Sequence, residues 1–305
     1  MTKTQAWIKA FRLRTLPLSF SNIILGTALV SLDFEVDYLI FGLILTTTLL
    51  LQILSNLAND YGDAKKGTDN DNRVGPERAV QSGLITLNQM KMGIIISSFL
   101  SFLSGLSLLY VAFKGEINYY FTLFLVLGLG AIVAAIKYTV GKKAYGYSGM
   151  GDLFVFIFFG LIGVLGTYYL LTQSFEWVMI LPAITMGTFS TAVLNLNNMR
   201  DIDNDQVMNK NTLVVSMGSE NAKKYHYFLF FLGYVSYFTF SILMFDLKTD
   251  CLVLLPLLVI GSIHIFHLRK VKQIKLPKDF DPELKKIALS ALLFAGLSWI
   301  SFLML

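Results

Sequence analysis

Residues 38–63 read YLIFGLILTTTLLLQILSNLANDYGD, and this stretch decides the class of fold. No Asp, Glu, Lys or Arg occurs between Tyr38 and Asn59. A transmembrane helix needs about 20 mostly apolar residues to cross the hydrocarbon core of a bilayer. Asp60 and Asp63 follow directly, and carboxylates at membrane depth are costly and usually functional. The stretch therefore predicts both a membrane span and a polar site at its end.

The rest of the chain has the same apolar character. Of its 305 residues, 55% are hydrophobic and 15% are charged, and the mean hydropathy is +0.62. A soluble domain is usually about a quarter charged. We therefore predict an all-α polytopic membrane protein whose residues 1–305 form a single transmembrane domain in the lipid bilayer. About nine spans are predicted, at residues 16–32, 38–58, 91–113, 119–138, 152–172, 176–197, 226–245, 250–267 and 287–305.

The basic residues predict the orientation of these spans. Of the 25 Lys and Arg residues, all except Lys114 and Lys248 lie in the N-terminal segment or in and beside the loops after spans two, four, six and eight. Basic residues concentrate on the cytoplasmic side of membrane proteins, so we expect the N-terminus and both acidic clusters in the cytoplasm. The net charge of +5 does not predict a nucleic-acid partner, because these residues flank helices.

A second acidic cluster, NNMRDIDND at residues 197–205, closes the sixth predicted span. In both clusters the Asn and Asp side chains recur at intervals of three or four residues, which places them on one face of a helix. The first stripe is Asn56, Asn59, Asp60 and Asp63, and the second is Asn198, Asp201 and Asp205. Mg²⁺ is usually held by one or two carboxylates together with substrate phosphates. Two facing stripes therefore predict a magnesium site for a diphosphate.

Basic side chains accompany the acidic stripes and are candidates for binding the remaining diphosphate oxygens. The candidates are Arg78, Lys137, Lys142, Lys143, Arg200 and Lys210. The alternative is that they only reflect the positive-inside rule. We adopt that alternative for Lys223, Lys224 and the basic run within 269–286.

Three further features concern the interior of the protein. The ring of Tyr147 is predicted to cover a carbocation, although interfacial belts explain most tyrosines near a membrane surface. His264 and His267 have no Cys or carboxylate in register, so we interpret them as packing or interface residues. The spacing of Gly160, Gly163 and Gly166 predicts close helix packing in the fifth span.

Together these residues resemble the UbiA-type intramembrane prenyltransferases. The stretches that carry the resemblance are NLANDYGDAKKG at 56–67, GPERAVQSG at 75–83, NNMRDI at 197–202, KNTL at 210–213 and RLRTLP at 12–17. They are most similar to the branch that acts on 1,4-dihydroxy-2-naphthoate in menaquinone synthesis. Many relatives have a third Asp where this chain has Gly67, and Asp69 is then the candidate for that position.

The resemblance implies a Mg²⁺-dependent reaction at the cytoplasmic face of the bacterial inner (plasma) membrane. A polyprenyl diphosphate would prenylate 1,4-dihydroxy-2-naphthoate with loss of CO₂ and diphosphate, giving demethylmenaquinone. The implied catalytic residues are Asp60, Asp63, Asp201, Asp205 and Tyr147, with Arg14 and Asn56 added to the substrate-binding candidates. Two alternatives remain open: a sister enzyme that uses another acceptor such as 4-hydroxybenzoate, and a cation-coupled transporter.

Overall fold

The computed structural model describes residues 2–68, 74–75 and 78–305, and within these ranges the regular structure is entirely helical. Its helices are α1 (Lys3–Phe11), α2 (Leu16–Val30), α3 (Tyr38–Lys66), α4 (Leu87–Ala112), α5 (Tyr119–Lys137), α6 (Gly151–Val155), α7 (Gly166–Thr172), α8 (Ile180–Arg200), α9 (Ile202–Val207), α10 (Leu213–Met244), α11 (Leu255–Gln273) and α12 (Asp281–Leu303). In this part of the chain, nine helical segments are long and apolar enough to cross a membrane. The predicted all-α fold and the predicted number of spans are therefore confirmed.

Spans one and seven begin earlier than hydropathy predicted. The first candidate span runs from Lys3 because α1 precedes α2, and Thr2 and Gln5 form a capping box at the start of α1. Span seven begins at Leu213 rather than at residue 226, and Gly218, with φ 77°, bends the backbone near its start. Polar first turns of this kind lower the local hydropathy without preventing a helix.

The fifth span combines α6 and α7 with a π-helical segment at Phe156–Leu165 between them. Gly160 of this segment lies against α8, since an added Cβ would come within 2.4 Å of the Cα of Gly187. The prediction of close packing is thus confirmed at Gly160. At Gly166 the nearest atom would be 3.5 Å away, an ordinary contact.

Three helices at the C-terminal end of the chain are joined by a buried polar chain. His226 Nε2 of α10 is 2.8 Å from His267 Nε2 of α11, and His267 Nδ1 is 2.7 Å from Glu283 Oε2 of α12. All three side chains are buried. The burial of His267 agrees with the predicted packing role. Its carboxylate partner, Glu283, comes from a helix distant in sequence and so could not be seen in the register of α11.

Candidate active site

The last turns of α3 bring Asp60 and Asp63 into the protein interior, where they are 1% and 4% exposed. The helix is held there by the segment that follows α5. Thr139 Oγ1 donates a hydrogen bond to the backbone oxygen of Ala58 at 2.9 Å. Gly62 permits this approach, since a Cβ at that position would lie 2.4 Å from Thr139 Oγ1. A small residue between the two aspartates is therefore required by the packing around them.

Both aspartates of the first stripe have cationic or phenolic partners. Asp60 forms ion pairs with Arg12 and Arg78. Asp63 accepts a hydrogen bond from the Tyr147 hydroxyl at 2.8 Å, and Arg78 Nη2 lies 3.5 Å from its other oxygen. Arg12 adopts the left-handed conformation (φ 49°) at the end of α1. The N-terminal helix thus supplies a cation to a carboxylate that is 48 residues away in sequence.

The second stripe is built around Arg200 at the end of α8. Its guanidinium binds both oxygens of Asp201, at 2.9 and 2.7 Å, and pairs with Asp281 of α12 at 2.6 Å. Arg200 is 3% exposed, whereas Asp281 is 43% exposed. The guanidinium is therefore shared between a buried carboxylate and a half-exposed one.

Asp205 and Lys210 form the third charged pair, with Lys210 Nζ 3.3 Å from Asp205 Oδ1. Burial raises the pKa of Asp205 to about 6; Lys210 opposes the rise, and Asp201 adds to it. Burial alone would lower the pKa of Lys210, but Asp63, Asp205 and Asp201 together raise it. The raised pKa of Lys210 indicates a negative local potential from these carboxylates, which would stabilise a further cation.

The aspartates of the two stripes and their basic partners form one end of a large cavity of about 1320 Å³, which we call the charged pole. Asp60, Asp63, Asp201 and Asp205 all line it, together with the basic side chains around them. The remainder is mostly apolar and is drawn from most of the membrane spans. Its apolar lining includes Phe102, Leu106, Phe124, Leu127, Phe158 and Ile162. The cavity can therefore hold a molecule with a polyanionic head and a long hydrocarbon tail.

The sequence profile of the UbiA prenyltransferase family matches residues 19–282, most of the chain. The chain belongs to the UbiA prenyltransferase family. It is 41% identical over 295 residues to the 1,4-dihydroxy-2-naphthoate octaprenyltransferase of Haemophilus influenzae, covering 95% of this chain and 93% of that one. The enzyme of the same name from Escherichia coli (strain K12) is 50% identical over 226 residues, covering 74% and 73% of the two chains.

Solved structures of UbiA homologues share the fold at low identity. The homologue from Aeropyrum pernix K1 aligns with a TM-score of 0.64 at 16% identity, covering 96% of this chain and 99% of that one. The homologue from Archaeoglobus fulgidus, which was solved bound to DMAPP and Mg²⁺, aligns at 0.62 and 15% over the same shares. The nine-span architecture is thus that of the UbiA fold.

The donor set of this UbiA chain fits a magnesium ion that substrate phosphates help to hold. Asp205 Oδ2 is buried and has no hydrogen-bond partner in the described part of the chain. Among the described residues, no three His, Cys, Asp or Glu side chains are close enough to hold an ion by themselves. Mg²⁺ usually takes one or two carboxylates and completes its shell with water and phosphate oxygens, so the buried Asp205 Oδ2 is suited to be one of its ligands.

The structure brings most of the predicted site residues together. Those that line the cavity are Arg14, Asn59, Asp60, Asp63, Arg78, Arg200, Asp201, Asp205 and Lys210. Asp69 lies outside the described residues. Lys137, Lys142 and Lys143 are exposed and do not line the cavity that the described residues form. Because they are absent from this lining, the cavity gives no support to the prediction that they are substrate ligands.

Three other predicted residues lie beside the cavity rather than in its lining. Asn56 Nδ2 donates to the backbone oxygen of Phe11 at 2.9 Å, so this side chain fastens α1 to α3. Asn198 is 3% exposed, and its Oδ1 has no partner among the described residues. The ammonium group of Lys66 lies over the ring of Tyr147, 3.5 Å from the ring centre. One face of the ring is thus occupied by a cation of the protein itself, and the expectation that the ring covers a carbocation stays a prediction.

Sequence reasoning missed Arg12 and Asp281 as site residues. Arg12 belongs to the RLRTLP stretch at 12–17, so a signal for it was present, but its partner was not visible. Asp281 lies 81 residues from Arg200, at the start of α12, within the run 269–286 whose basic residues predict only the orientation of the spans. Both are recognised only through contacts between distant segments.

Proposed function

We propose that this protein transfers a polyprenyl group from its diphosphate to 1,4-dihydroxy-2-naphthoate, with loss of CO₂ and diphosphate. The observation that carries the proposal is the 41% identity, over 95% of the chain, to a naphthoate octaprenyltransferase. The cavity supports it, since a charged pole adjoins a long apolar chamber. The acceptor is a hydroquinone, so the immediate product is demethylmenaquinol, and a separate oxidation gives demethylmenaquinone.

Our proposal includes a dependence on Mg²⁺. Asn59, Asp60, Asp63, Asp201 and Asp205 would hold the ion, and when bound it would neutralise charge that develops on the departing diphosphate. The protein's own cations assist. Arg12, Arg78 and Lys210 line the same pole and supply charged donors to the phosphate oxygens.

The electron flow needs little from the protein beyond this electrostatic support. The bond between the allylic carbon and the diphosphate oxygen breaks, and its electron pair leaves with the diphosphate. The ring carbon of the acceptor that bears the carboxylate forms the new carbon–carbon bond. The bond from that carbon to the carboxylate then breaks, CO₂ leaves, and the electron pair of the broken bond restores the aromatic ring. The allylic carbon becomes cationic as the diphosphate departs, and such a cation reacts readily with water. The apolar part of the cavity, whose lining includes Tyr138, Tyr145 and Phe154, excludes water from it.

We assign Tyr147 a positioning role. Its hydroxyl donates to Asp63 at 2.8 Å and lies 2.7 Å from the Thr68 hydroxyl, while Asn204 Nδ2 donates to the Thr68 backbone oxygen at 3.0 Å. This chain of contacts links the first acidic stripe to α9, which carries Asp205. Tyr147 would thereby hold Asp63 in the orientation that the ion and the diphosphate require.

We further propose that the protein lies in the inner membrane with its N-terminus and the charged pole of the cavity on the cytoplasmic side. The distribution of Lys and Arg supports this orientation. Water-soluble 1,4-dihydroxy-2-naphthoate would then enter from the cytoplasm, while the prenyl chain would come from the bilayer.

Acceptor competition tests the proposed reaction. Membranes that contain the protein would receive a polyprenyl diphosphate with equal concentrations of 1,4-dihydroxy-2-naphthoate and 4-hydroxybenzoate. We expect a prenylated naphthoquinone to dominate the lipid extract. Prenylated hydroxybenzoate as the main product would instead establish the sister activity. Ion flux that depends on substrate, without any prenylated product, would support the transporter.

A further inference from the structure

A second concave surface lies outside the substrate cavity, between α10 and α11. We call it the α10–α11 groove; it has a volume of about 500 Å³, and Lys223, Lys224, Tyr227, Leu268, Arg269 and Lys272 line it. Two contacts join its walls: the Tyr227 hydroxyl donates to the Leu268 backbone oxygen at 2.7 Å, and Lys223 Nζ donates to that of Ile274 at 2.9 Å. The groove therefore lies between two spans that direct hydrogen bonds hold together.

The charges around the groove are not balanced. Its only acidic residue is Glu220, which pairs with Lys223 at 2.9 Å. Lys224, Arg269 and Lys272 are exposed, and within the described residues none of them pairs with a carboxylate. The charges of these three basic side chains are therefore available to an anion that enters the α10–α11 groove.

Apolar surface continues from the basic residues toward the membrane centre. On α10, Phe228 and Phe231 follow Lys224 at i+4 and i+7, so the three share one face. On α11, Ile265 precedes Arg269 and Lys272 at the same intervals. Phe228, Phe231 and Ile265 are 53%, 65% and 53% exposed, and each lies within a membrane span. The basic side chains match the anionic headgroup of a phospholipid, and the adjoining exposed apolar strip matches its acyl chains.

We propose that the α10–α11 groove binds an anionic phospholipid of the surrounding leaflet. The phosphate would accept charge-assisted hydrogen bonds from Lys224, Arg269 and Lys272, and an acyl chain would cover the apolar strip. A free phosphate would leave that strip uncovered, and the ammonium group of a zwitterionic lipid would be repelled by the basic residues. The site is separate from the prenyl-transfer cavity, so it stands independently of the proposed function.

Native mass spectrometry of the delipidated full-length protein tests the proposal. Phosphatidylglycerol and phosphatidylcholine would be titrated separately onto the wild-type protein, the variant K224Q/K272Q and the variant K275Q/K278Q. Lys275 and Lys278 are exposed, follow α11, and do not line the groove. The second variant therefore loses the same charge outside the groove and serves as the matched control.

We expect wild type and control to bind phosphatidylglycerol more tightly than phosphatidylcholine. In K224Q/K272Q the affinity for phosphatidylglycerol should fall about 25-fold, since each basic residue at an anionic membrane surface contributes roughly a factor of five. Circular dichroism would verify that both variants are folded. Equal affinity in both variants, or equal affinity for both lipids, would overturn the proposal. So would inorganic phosphate that displaces phosphatidylglycerol at comparable concentration, because the groove would then be a simple anion site.

Discussion

Replacing Tyr147 by Phe tests the positioning role of its hydroxyl with little change in packing. The variant keeps the ring that Lys66 contacts and removes only the hydroxyl that donates to Asp63 at 2.8 Å. Asp63 is 4% exposed, so water cannot readily replace the lost donor. We therefore expect the carboxylate to turn away from its catalytic orientation.

The size of the effect follows from the kind of hydrogen bond that is lost. A hydrogen bond to a charged group contributes about 1.5–3 kcal/mol, and about 1.4 kcal/mol corresponds to a factor of ten. We expect Tyr147→Phe to lower kcat/KM for the polyprenyl diphosphate by about 10- to 100-fold. Initial rates of prenyl transfer in membranes, measured over a range of donor concentrations, give this value directly.

Tyr237→Phe is the matched control for this experiment. Tyr237 is fully buried, its hydroxyl donates to Ser298 at 2.9 Å, and it does not line the cavity. We expect this variant to lose some thermal stability but to keep its kcat/KM. Wild-type kcat/KM in Tyr147→Phe, or an equal loss in both variants, would refute the argument that the contact with Asp63 matters.

Three further substitutions probe other parts of the site. Asp205→Asn should lower turnover by about a hundredfold or more, because it removes a carboxylate from the charged pole. Mg²⁺ titration by calorimetry should show weaker binding, and unchanged binding would contradict the assignment of Asp205 as a magnesium ligand. Asp281→Asn leaves Asp201 as the one carboxylate that pairs with the buried Arg200 in the described part of the chain, so Arg200 should compete more strongly with Mg²⁺ for Asp201. The half-saturating Mg²⁺ concentration should rise about two- to fivefold; an unchanged Mg²⁺ dependence would argue against this competition. Gly62→Ala places a Cβ 2.4 Å from Thr139 Oγ1 and should cost about 1–3 kcal/mol of stability; an unchanged thermal midpoint in detergent would show that Thr139 can move away.

The fold could be predicted from the sequence largely because membrane spans leave a local signal. The run 38–59 is uncharged and mostly apolar, whichever residues later pack against it. Mean hydropathy did not predict α1, because polar residues such as Lys3 and Lys9 lower the hydropathy of this helix. Capping, which decides where α1 begins, depends on the hydrogen bonds of Thr2 and Gln5 rather than on mean hydropathy.

The acidic part of the site could also be predicted, because Asp60 and Asp63 lie one turn apart on a single helix. The cationic part could be predicted only partly. Lys142 and Lys143 are close to the stripes in the predicted topology, yet they are exposed and do not line the cavity that the described residues form. Arg12 reaches Asp60 only because α1 folds back against α3, a tertiary contact for which hydropathy and helical periodicity give no signal.

The most direct test of the proposed reaction is the identity of the lipid product with and without Mg²⁺. Membranes containing the protein would be incubated with 1,4-dihydroxy-2-naphthoate and either farnesyl or octaprenyl diphosphate, and the extracts analysed by mass spectrometry. We predict a prenylated, decarboxylated naphthoquinone when Mg²⁺ is present and none when the metal is chelated. Undiminished product in excess chelator would contradict the role of the metal. Absence of any prenylated naphthoquinone from correctly inserted protein with both donors would contradict the proposed reaction itself.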